Sequence, residues 1–410
     1  MSLHFEKSYA VFTVCNLAYL QKALVLAESL LRYDRIKLNI YIIDKKVDVD
    51  LPINVADFTW IEDVGIPRLY ELAFKYDITE FSTSLKPGLT LKLLEKFEKV
   101  IFLDPDICLY HSVSPILNDL NEHSIVVTPH YTVPMPDSFL DSDMRLLRFG
   151  SFNLGFYAVT NSDQSLYFLR WWNNRCLRLC FFEAQFGLST DQKWVSIAPC
   201  FFKDLYVSFN LGYNAAIWNA HERSITKGSD NTYLVNGKYP LVFFHFSSFD
   251  EAKPEVLSKR EWAFPERTRE KTIGLLELSL TYKASLDRNK SAASLMKYGF
   301  DYMSSGEYIS PTLRSAYACI LDELPPTHDP FDSNGIVGIF AKKNYLIEKK
   351  LPPFASSGFM DLPKHKNKFI VIYFLMRLVL RLIGPNNFAN FSRLLVYLSS
   401  YRQNRGLWKL

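Results

Sequence analysis

Three short apolar runs, each closed by a polar residue and separated by stretches of helical period, restrict the possible fold more than any other feature of this chain. The runs are YAVFTVC (9–15), followed by Asn16; LNIYIID (38–44), ending on an acid; and KVIFLD (99–104), ending on Asp104. Between the first two, NLAYLQKALVLAESLLRYD (16–34) spaces its apolar residues as an amphipathic helix does. Before the third, Lys86-Pro87 opens GLTLKLLEKF, which places the proline in a first helical turn, where its missing N–H is tolerated. Apolar runs without alternation are strands buried on both faces. Their alternation with helices predicts an α/β fold, a Rossmann-like, mainly parallel sheet flanked by helices. Ligands of such sheets bind at the carboxyl ends of the strands. The ends at Cys15-Asn16, Asp44 and Asp104 are therefore expected to share one crevice.

Further strands are predicted at HSIVVTPH (123–130), SFNLGFYAVT (151–160) and YPLVFFHFSSFD (239–250). A long aromatic helix is predicted over SDQSLYFLRWWNNRCLRLCFFEAQF, and a short one in LSTDQKWVSIAPCFF, capped by Ser189 or Thr190. Helices then dominate from about 266 to 324. With 48% hydrophobic and 15% aromatic residues in 410, the chain has ample material for a core, and disorder is excluded for most of it.

Asp104 and Asp106 flank a proline where an inner strand ends. A turn there lets both acids face one cleft, and paired carboxylates are hard oxygen ligands for Mg²⁺ or Mn²⁺. The bland alternative is one acid capping the turn and one solvated. His245 closes a later strand and offers a third ligand for such an ion, or a structural imidazole. Asn153 and Gly155 interrupt a strand: a bulge, or an amide reaching sugar hydroxyls beside a glycine that leaves room for a ligand. Asp191 and Gln192 open a helix: caps, or a pair orienting a sugar. Lys86 is either solvated or a cation near a diphosphate or the carboxylates. No P-loop, GxGxxG, GxSxG or HExxH motif is present. Nothing in the body has the basic–aromatic pattern of a nucleic-acid reader.

The order of these pieces is more specific than any one of them. YAVFTVCNLAYLQKALVLAESL, TSLKPGLTLKLLEKFEKVIFLDPDI, SFNLGFYAVT, STDQKW, GYNAAIWN and FFHFSSFD follow one another as in glycosyltransferases of the GT-A fold. The pattern resembles glycosyltransferase family eight, the glycogenin and lipopolysaccharide galactosyltransferase group, and related bacterial enzymes of polysaccharide assembly. The resemblance covers about residues 9–250, and YGFDYMSSGEYISPTLRSAY (298–317) looks like a module that follows the catalytic domain in such enzymes.

It implies a catalytic domain over 1–265, a helical module over 266–361 and a basic amphipathic tail over 362–410. By resemblance, Asp104, Asp106 and His245 hold Mn²⁺ or Mg²⁺, with Asp104 also on the donor. Thr13, Asn16 and Tyr19 hold the nucleotide base, and Asp44 and Lys86 approach the donor. Asn153 and Gly155 contact its sugar, and Asp191 and Gln192 stand near the anomeric carbon as the catalytic pair. The implied activity is transfer of a sugar from a nucleotide-sugar donor, with UDP-sugar favoured, to a surface-glycan or lipid-linked acceptor with retention. A nucleotidyltransferase and a catalytically silent glycan-binding scaffold are the alternatives. The sequence departs from the family at Ser248, where the family has glycine, and at Lys253-Pro254, which lies further from the histidine than the family places it.

Residues 362–410 carry nine Lys or Arg and no acid, whereas the rest carries 38 basic and 43 acidic residues. KHKNKFIVIYFLMRLVLRLIG (364–384), with arginines following at 393, 402 and 405, suits an interfacial helix on anionic lipid, or one packed on the protein with its arginines outward. It is too short and too charged to span a bilayer. No signal peptide is visible, so a cytoplasmic protein, peripheral on the plasma membrane, is expected. The six cysteines lack metal-ligand spacing and are expected to be buried and reduced.

Overall fold

A computed structural model describes residues 7–135, 140–228, 232–259, 269–348, 366–400, 402, 404–408 and 410. The chain divides into two compact units: residues 1–69 with 78–299, and residues 70–77 with 300–410.

The first unit is built on a seven-stranded sheet. Its strands are β1 (Lys7–Cys15), β2 (Leu38–Ile42), β3 (Ala56–Trp60), β4 (Phe97–Leu103), β6 (Ile125–Pro129), β7 (Phe152–Thr160) and β8 (Leu205–Val207), in the order β3-β2-β1-β4-β7-β6-β8. Pairing is parallel except where β7 runs against β4 and β6. The sheet is thus mainly parallel, as the apolar runs imply. β3 had no reading in the sequence, because ADFTW is short and only its two ends are buried.

Helices cover both faces. Val11, Ile40, Ile101 and Phe156 point toward α1 (Leu20–Asp34) and α4 (Ser114–Glu122), where Leu26, Leu30 and Ile116 complete one core. The alternate residues form the other core: Phe12 meets Phe102, Phe102 stacks on Tyr157, and Tyr157 meets Trp172. That face is covered by α3 (Ile78–Leu93) and α6 (Asp163–Leu179). The hydroxyls of Thr90 on α3 and Tyr157 on β7 share a 2.7 Å hydrogen bond, which satisfies both inside an apolar layer.

Three local expectations are corrected. Pro87 lies inside α3, not in its first turn, because the helix already starts at Ile78. The aromatic helix α6 stops at Leu179, short of the expected Phe186. Neither Ser189 nor Thr190 caps the short helix α7 (Gln192–Val195); Thr190 sits at φ +49° and donates instead to Asp191 Oδ1.

A second, three-stranded sheet joins β5 (Ile107–Leu109), β13 (Phe243–His245) and β9 (Ala215–Ala216) in the order β5-β13-β9. A third sheet has β10 (Ile225–Lys227), β11 (Tyr233–Val235) and β12 (Tyr239–Pro240). The unit also contains α5 (Leu140–Phe149) and α8 (Arg269–Arg288). Tyr282 of α8 stacks on Phe246 at 3.8 Å, one residue past His245. This packing carries the first unit beyond residue 265, to Gly299.

The second unit holds most of α2 (Leu69–Lys75), then α9 (Pro311–Ile320), α10 (Ile336–Lys343), α11 (Lys366–Ile383) and α12 (Pro385–Leu398). Arg314 of α9 is its organising side chain. It is buried, donates to the carbonyls of Ala73, Phe74, Tyr76 and Phe300, and pairs with Asp301 at 2.7 Å. It thereby satisfies carbonyls left over at the end of α2. α11 and α12 expose apolar side chains along both helices, Phe374 at 68% and Leu382 at 75% among them. The end of the tail is held on the second unit, where Cys319 Sγ donates to Arg402 O and Arg405 pairs with Glu323. No helix of the described residues is long and apolar enough to cross a membrane.

All six cysteines are free. Cys15, Cys176 and Cys180 are buried as expected, but Cys200 is exposed.

Candidate metal and donor site

The small sheet assembles the site. β4 delivers Asp104, the chain turns through Pro105 and Asp106, and β5 leaves antiparallel to β13 with Ile107 opposite His245. β9 lies on the other side of β13, with Ala216 opposite His245, which brings Asn214 beside the imidazole. Asp104, Asp106 and His245 each offer one ligand atom, and these atoms lie within 4.8 Å of one another.

The hydrogen-bond network determines what those atoms are. Asn214 Nδ2 donates to Thr128 Oγ1 at 3.1 Å and to Asn153 Oδ1 at 3.0 Å, so the Oδ1 of Asn214 is the atom 3.2 Å from His245 Nδ1. An amide oxygen only accepts, hence Nδ1 carries the imidazole proton. Nε2 is left with its lone pair, 3.0 Å from Asp106 Oδ1 and 3.8 Å from Asp104 Oδ2. Three acceptors thus converge, and a cation shared among them, or a second proton on the ring, is what relieves their repulsion. Two carboxylates and one imidazole form a donor set suited to a Mn²⁺-like ion. Burial opposes the charge of Asp106; a second proton on the His245 ring, with Lys22 adding less, outweighs burial and brings the pKa down to about 2.

Gly155 is explained by the same imidazole. An added Cβ would stand 2.3 Å from Cε1 and 2.7 Å from Nδ1 of His245. The room this glycine leaves is taken by His245.

Lys86 is buried and fully engaged. Its Nζ lies 3.3 Å from Asp104 Oδ1 and 3.2 Å from Asp191 Oδ2, and donates to Leu154 O at 3.0 Å. Burial works against its charge, yet the two carboxylates raise its pKa above the ordinary lysine value. Asp191 is almost completely covered, and burial raises its pKa, with Lys86 opposing. It makes no capping hydrogen bond, so the capping alternative fails for it. Gln192 is tied at both ends, accepting from Leu154 N at 3.3 Å and donating to Phe149 O at 3.1 Å. Asn153 receives Gly155 N and Asn214 Nδ2 on its Oδ1, which leaves its NH₂ group without a partner among the described residues.

At the end of β1, Thr13 Oγ1 is buried with no hydrogen-bond partner. Asn16 Oδ1 accepts from Tyr19 N, and Tyr19 itself is exposed. Asp44 fixes this turn from the end of β2: its Oδ2 accepts from Leu17 N at 2.8 Å and its Oδ1 from Gly299 N at 3.0 Å. Ser248, one of the two departures from the expected pattern, adopts a glycine-like φ of +54°.

No family model matches the chain. Two curated relatives do, both from Bacillus subtilis (strain 168). The uncharacterized protein YfnD is 24% identical over 48% of this chain and 63% of its own length. The uncharacterized protein YfnF is 26% identical over 44% of this chain and 60% of its own length. The chain therefore spans less than two thirds of either relative. Among solved structures, the galactosyltransferase LgtC, in complex with donor and acceptor sugar analogs, is similar at a TM-score of 0.38 and 15% identity, covering 67% of this chain and 95% of that one. The glycosyltransferase GlyE of Streptococcus pneumoniae TIGR4 is similar at a TM-score of 0.37 and 17% identity, covering 68% of this chain and 62% of that one.

Sequence reasoning missed Asn214, Thr128 and Lys22. Asn214 had a signal, since it sits in GYNAAIWN, but nothing in that stretch points to a histidine 31 residues later.

Proposed function

We propose that this chain is a metal-dependent glycosyltransferase. The observation that carries the reading is the convergence of Asp104, Asp106 and His245, whose ligand atoms lie within 4.8 Å of one another. In this reading Asp104, Asp106 and His245 hold Mn²⁺ or Mg²⁺. When bound, such an ion offsets the negative charge that builds on a departing diphosphate. Tyr19 and Asn16 line the base end of the donor, beside Thr13, and Asp44 keeps their turn in place. The free NH₂ of Asn153 reaches the donor sugar. Lys86 lies between Asp104 and Asp191 beside the reacting carbon and offsets the repulsion of the two carboxylates. Asp191 orients the acceptor hydroxyl, held at the start of α7 by the Gln192 contacts. The donor is a UDP-sugar, the acceptor a surface glycan or lipid-linked glycan, and the anomeric configuration is retained.

The same reading places residues 364–405 on an anionic membrane surface, where a lipid-linked acceptor resides. The support is an acid-free segment whose two helices expose their apolar side chains. The protein then works as a peripheral component on the cytoplasmic side.

Thermal shift with UDP, GDP, ADP, CDP and dTDP, with Mn²⁺ and with chelator, tests the site. A Mn²⁺-dependent shift with one diphosphate is expected, followed by sugar transfer or slow donor hydrolysis with the matching nucleotide-sugar. No shift with any diphosphate favours the silent scaffold. Release of pyrophosphate from a nucleoside triphosphate and a sugar phosphate favours the nucleotidyltransferase.

A further inference from the structure

The outer face of α6 is not covered by another element along its whole length. Tyr167, Trp171, Asn174, Arg175 and Arg178 recur at the three- and four-residue spacing that keeps side chains on one helix face. Toward the end of the helix this stripe borders a cleft of about 480 Å³, lined by Asn174, Arg175, Arg178, Leu179 and Trp194. That is a usual size for a small-ligand site. One wall is Trp194 of α7, whose Nε1 donates to Leu179 O at 3.0 Å. The bond satisfies a carbonyl left over where α6 ends and holds the indole in place.

The cations of the cleft are positioned but not neutralised. Arg175 donates to Trp171 O at 3.2 Å, and its guanidinium lies 4.9 Å from the Trp171 ring centroid. Arg178 and Asn174 are exposed, and neither side chain has a hydrogen bond or ion pair among the described residues. No carboxylate lines the cleft among the described residues. A place in the last helical turn accounts for Arg178 by itself. It does not account for a second arginine a turn earlier, or for the rings beside it. Tyr167 and Trp171 both meet Phe202, at 5.4 and 5.3 Å, and Phe201 meets Trp171 at 5.9 Å. Tyr167 is 63% exposed and Phe201 57%.

Flat apolar ring faces, an open amide and two planar cations without counter-charges define the chemistry that fits. An apolar partner would cover the arginines without pairing them. A sugar chain with acidic groups meets both needs. Its C–H faces lie on the rings, and a carboxylate or phosphate takes parallel N–H groups from a guanidinium.

We propose that this cleft and the stripe beside it form a saccharide-binding surface apart from the donor site, which holds an anionic oligosaccharide by its acidic groups on Arg175 and Arg178 and by its rings on Trp194 and Tyr167. The choice of a saccharide rests on the glycosyl-transfer reading. The short helix α7 connects the two places: Gln192 is tied to Leu154 and Phe149 at the candidate site, and Trp194 closes the cleft. An acidic glycan anchored here is kept at a high effective concentration between transfers, without any contact to the reacting atoms.

The test is calorimetric titration of the full chain, without donor or Mn²⁺. The probes are oligogalacturonate, a phosphorylated maltooligosaccharide and a neutral maltooligosaccharide, with oligo(dT) as a non-saccharide polyanion. Tighter binding of an anionic saccharide than of the neutral one is expected, and the probe that binds best identifies the acidic group. Charged hydrogen bonds contribute enough to predict an affinity roughly ten- to a hundredfold weaker in Arg175→Gln/Arg178→Gln. Tyr167→Ala should lose less. Both variants should keep the native unfolding temperature and the native Mn²⁺-dependent diphosphate binding. Equal affinity for charged and neutral saccharides, undiminished binding in the arginine variant, or oligo(dT) binding as tightly as the best saccharide overturns the inference. A native chain that binds a diphosphate with Mn²⁺ but no anionic saccharide overturns the inference alone. Saccharide binding without any diphosphate binding overturns the glycosyl-transfer reading and leaves a glycan-binding scaffold.

Discussion

The imidazole Nδ1 of His245 and the side-chain oxygen of Asn214 lie 3.2 Å apart, and this contact decides which ring nitrogen faces Asp106. Partners of this kind commonly change metal affinity ten- to a hundredfold. Asn214 sits at φ +50°, a conformation glycine accepts, so Asn214→Gly removes the amide and little else. Mn²⁺ binding, followed by the loss of its free-ion electron paramagnetic resonance signal, should weaken about ten- to a hundredfold. Native affinity in this variant would show that the ring needs no such support.

Gly155→Ala introduces a methyl group 2.3 Å from His245 Cε1. The ring must move or the strand must bend. Overpacking of this sort destabilises by about 1–3 kcal/mol. Urea denaturation should register that loss, and Mn²⁺ binding should fall with it because the displaced atom belongs to a ligand.

Removing Lys86 leaves Asp104 and Asp191 facing each other across a covered space. Breaking a buried ion pair costs on the order of 3–5 kcal/mol. Lys86→Met should therefore be strongly destabilised, and the double variant Lys86→Met/Asp191→Asn should recover part of the loss. Additivity of the two changes in denaturant melts would mean the pair is not coupled.

His130 gives a pH signature. Burial lowers its pKa from an ordinary 6.5 to about 4, while Nδ1 donates to Ser151 O at 3.2 Å. Between these values the unfolded chain binds a proton that the folded chain does not. The neutral imidazole thus contributes stability that is complete above about 6.5 and lost as pH falls toward about 4. The slope is at most about 1.4 kcal/mol per pH unit. His130→Gln should flatten the stability profile in that window, and an unaltered profile would assign the acid sensitivity to other groups.

The tail helices predict a membrane behaviour. The intact chain should float with phosphatidylglycerol vesicles and much less with phosphatidylcholine vesicles. Phe374→Glu/Leu378→Glu should abolish flotation without changing Mn²⁺ binding. Equal recovery with both lipids, or no effect of the double change, would remove the membrane from the proposal.

The long inner strands were legible because burial on both faces writes an unbroken apolar run: β1, β2, β4 and β7 fall within a few residues of where the sequence places them. β3 was not, since five residues buried only at their two ends carry no run to see. The convergence of Asp104, Asp106 and His245 was legible from their strand ends, which depend on local sequence. The partner of the imidazole was not: Asn214 meets His245 through β9 and β13, strands of two and three residues whose pairing is entirely non-local. Pro87 misled for a related reason, because the helix is held by packing on both sides of the proline and not by its propensity.

The chain leaves the first unit after Leu69, contributes Tyr70–Asp77 to the second, and returns at Ile78. One recombination breakpoint can therefore neither donate nor discard the second unit whole. A chain ending at Gly299 would still carry Phe74 and Tyr76 while lacking Tyr317 and Arg314, which pack against and cap that segment. Such a fragment would present a sticky apolar helix from the middle of its own sequence. Inheritance of the two units as a single piece is thus written into the path of eight residues.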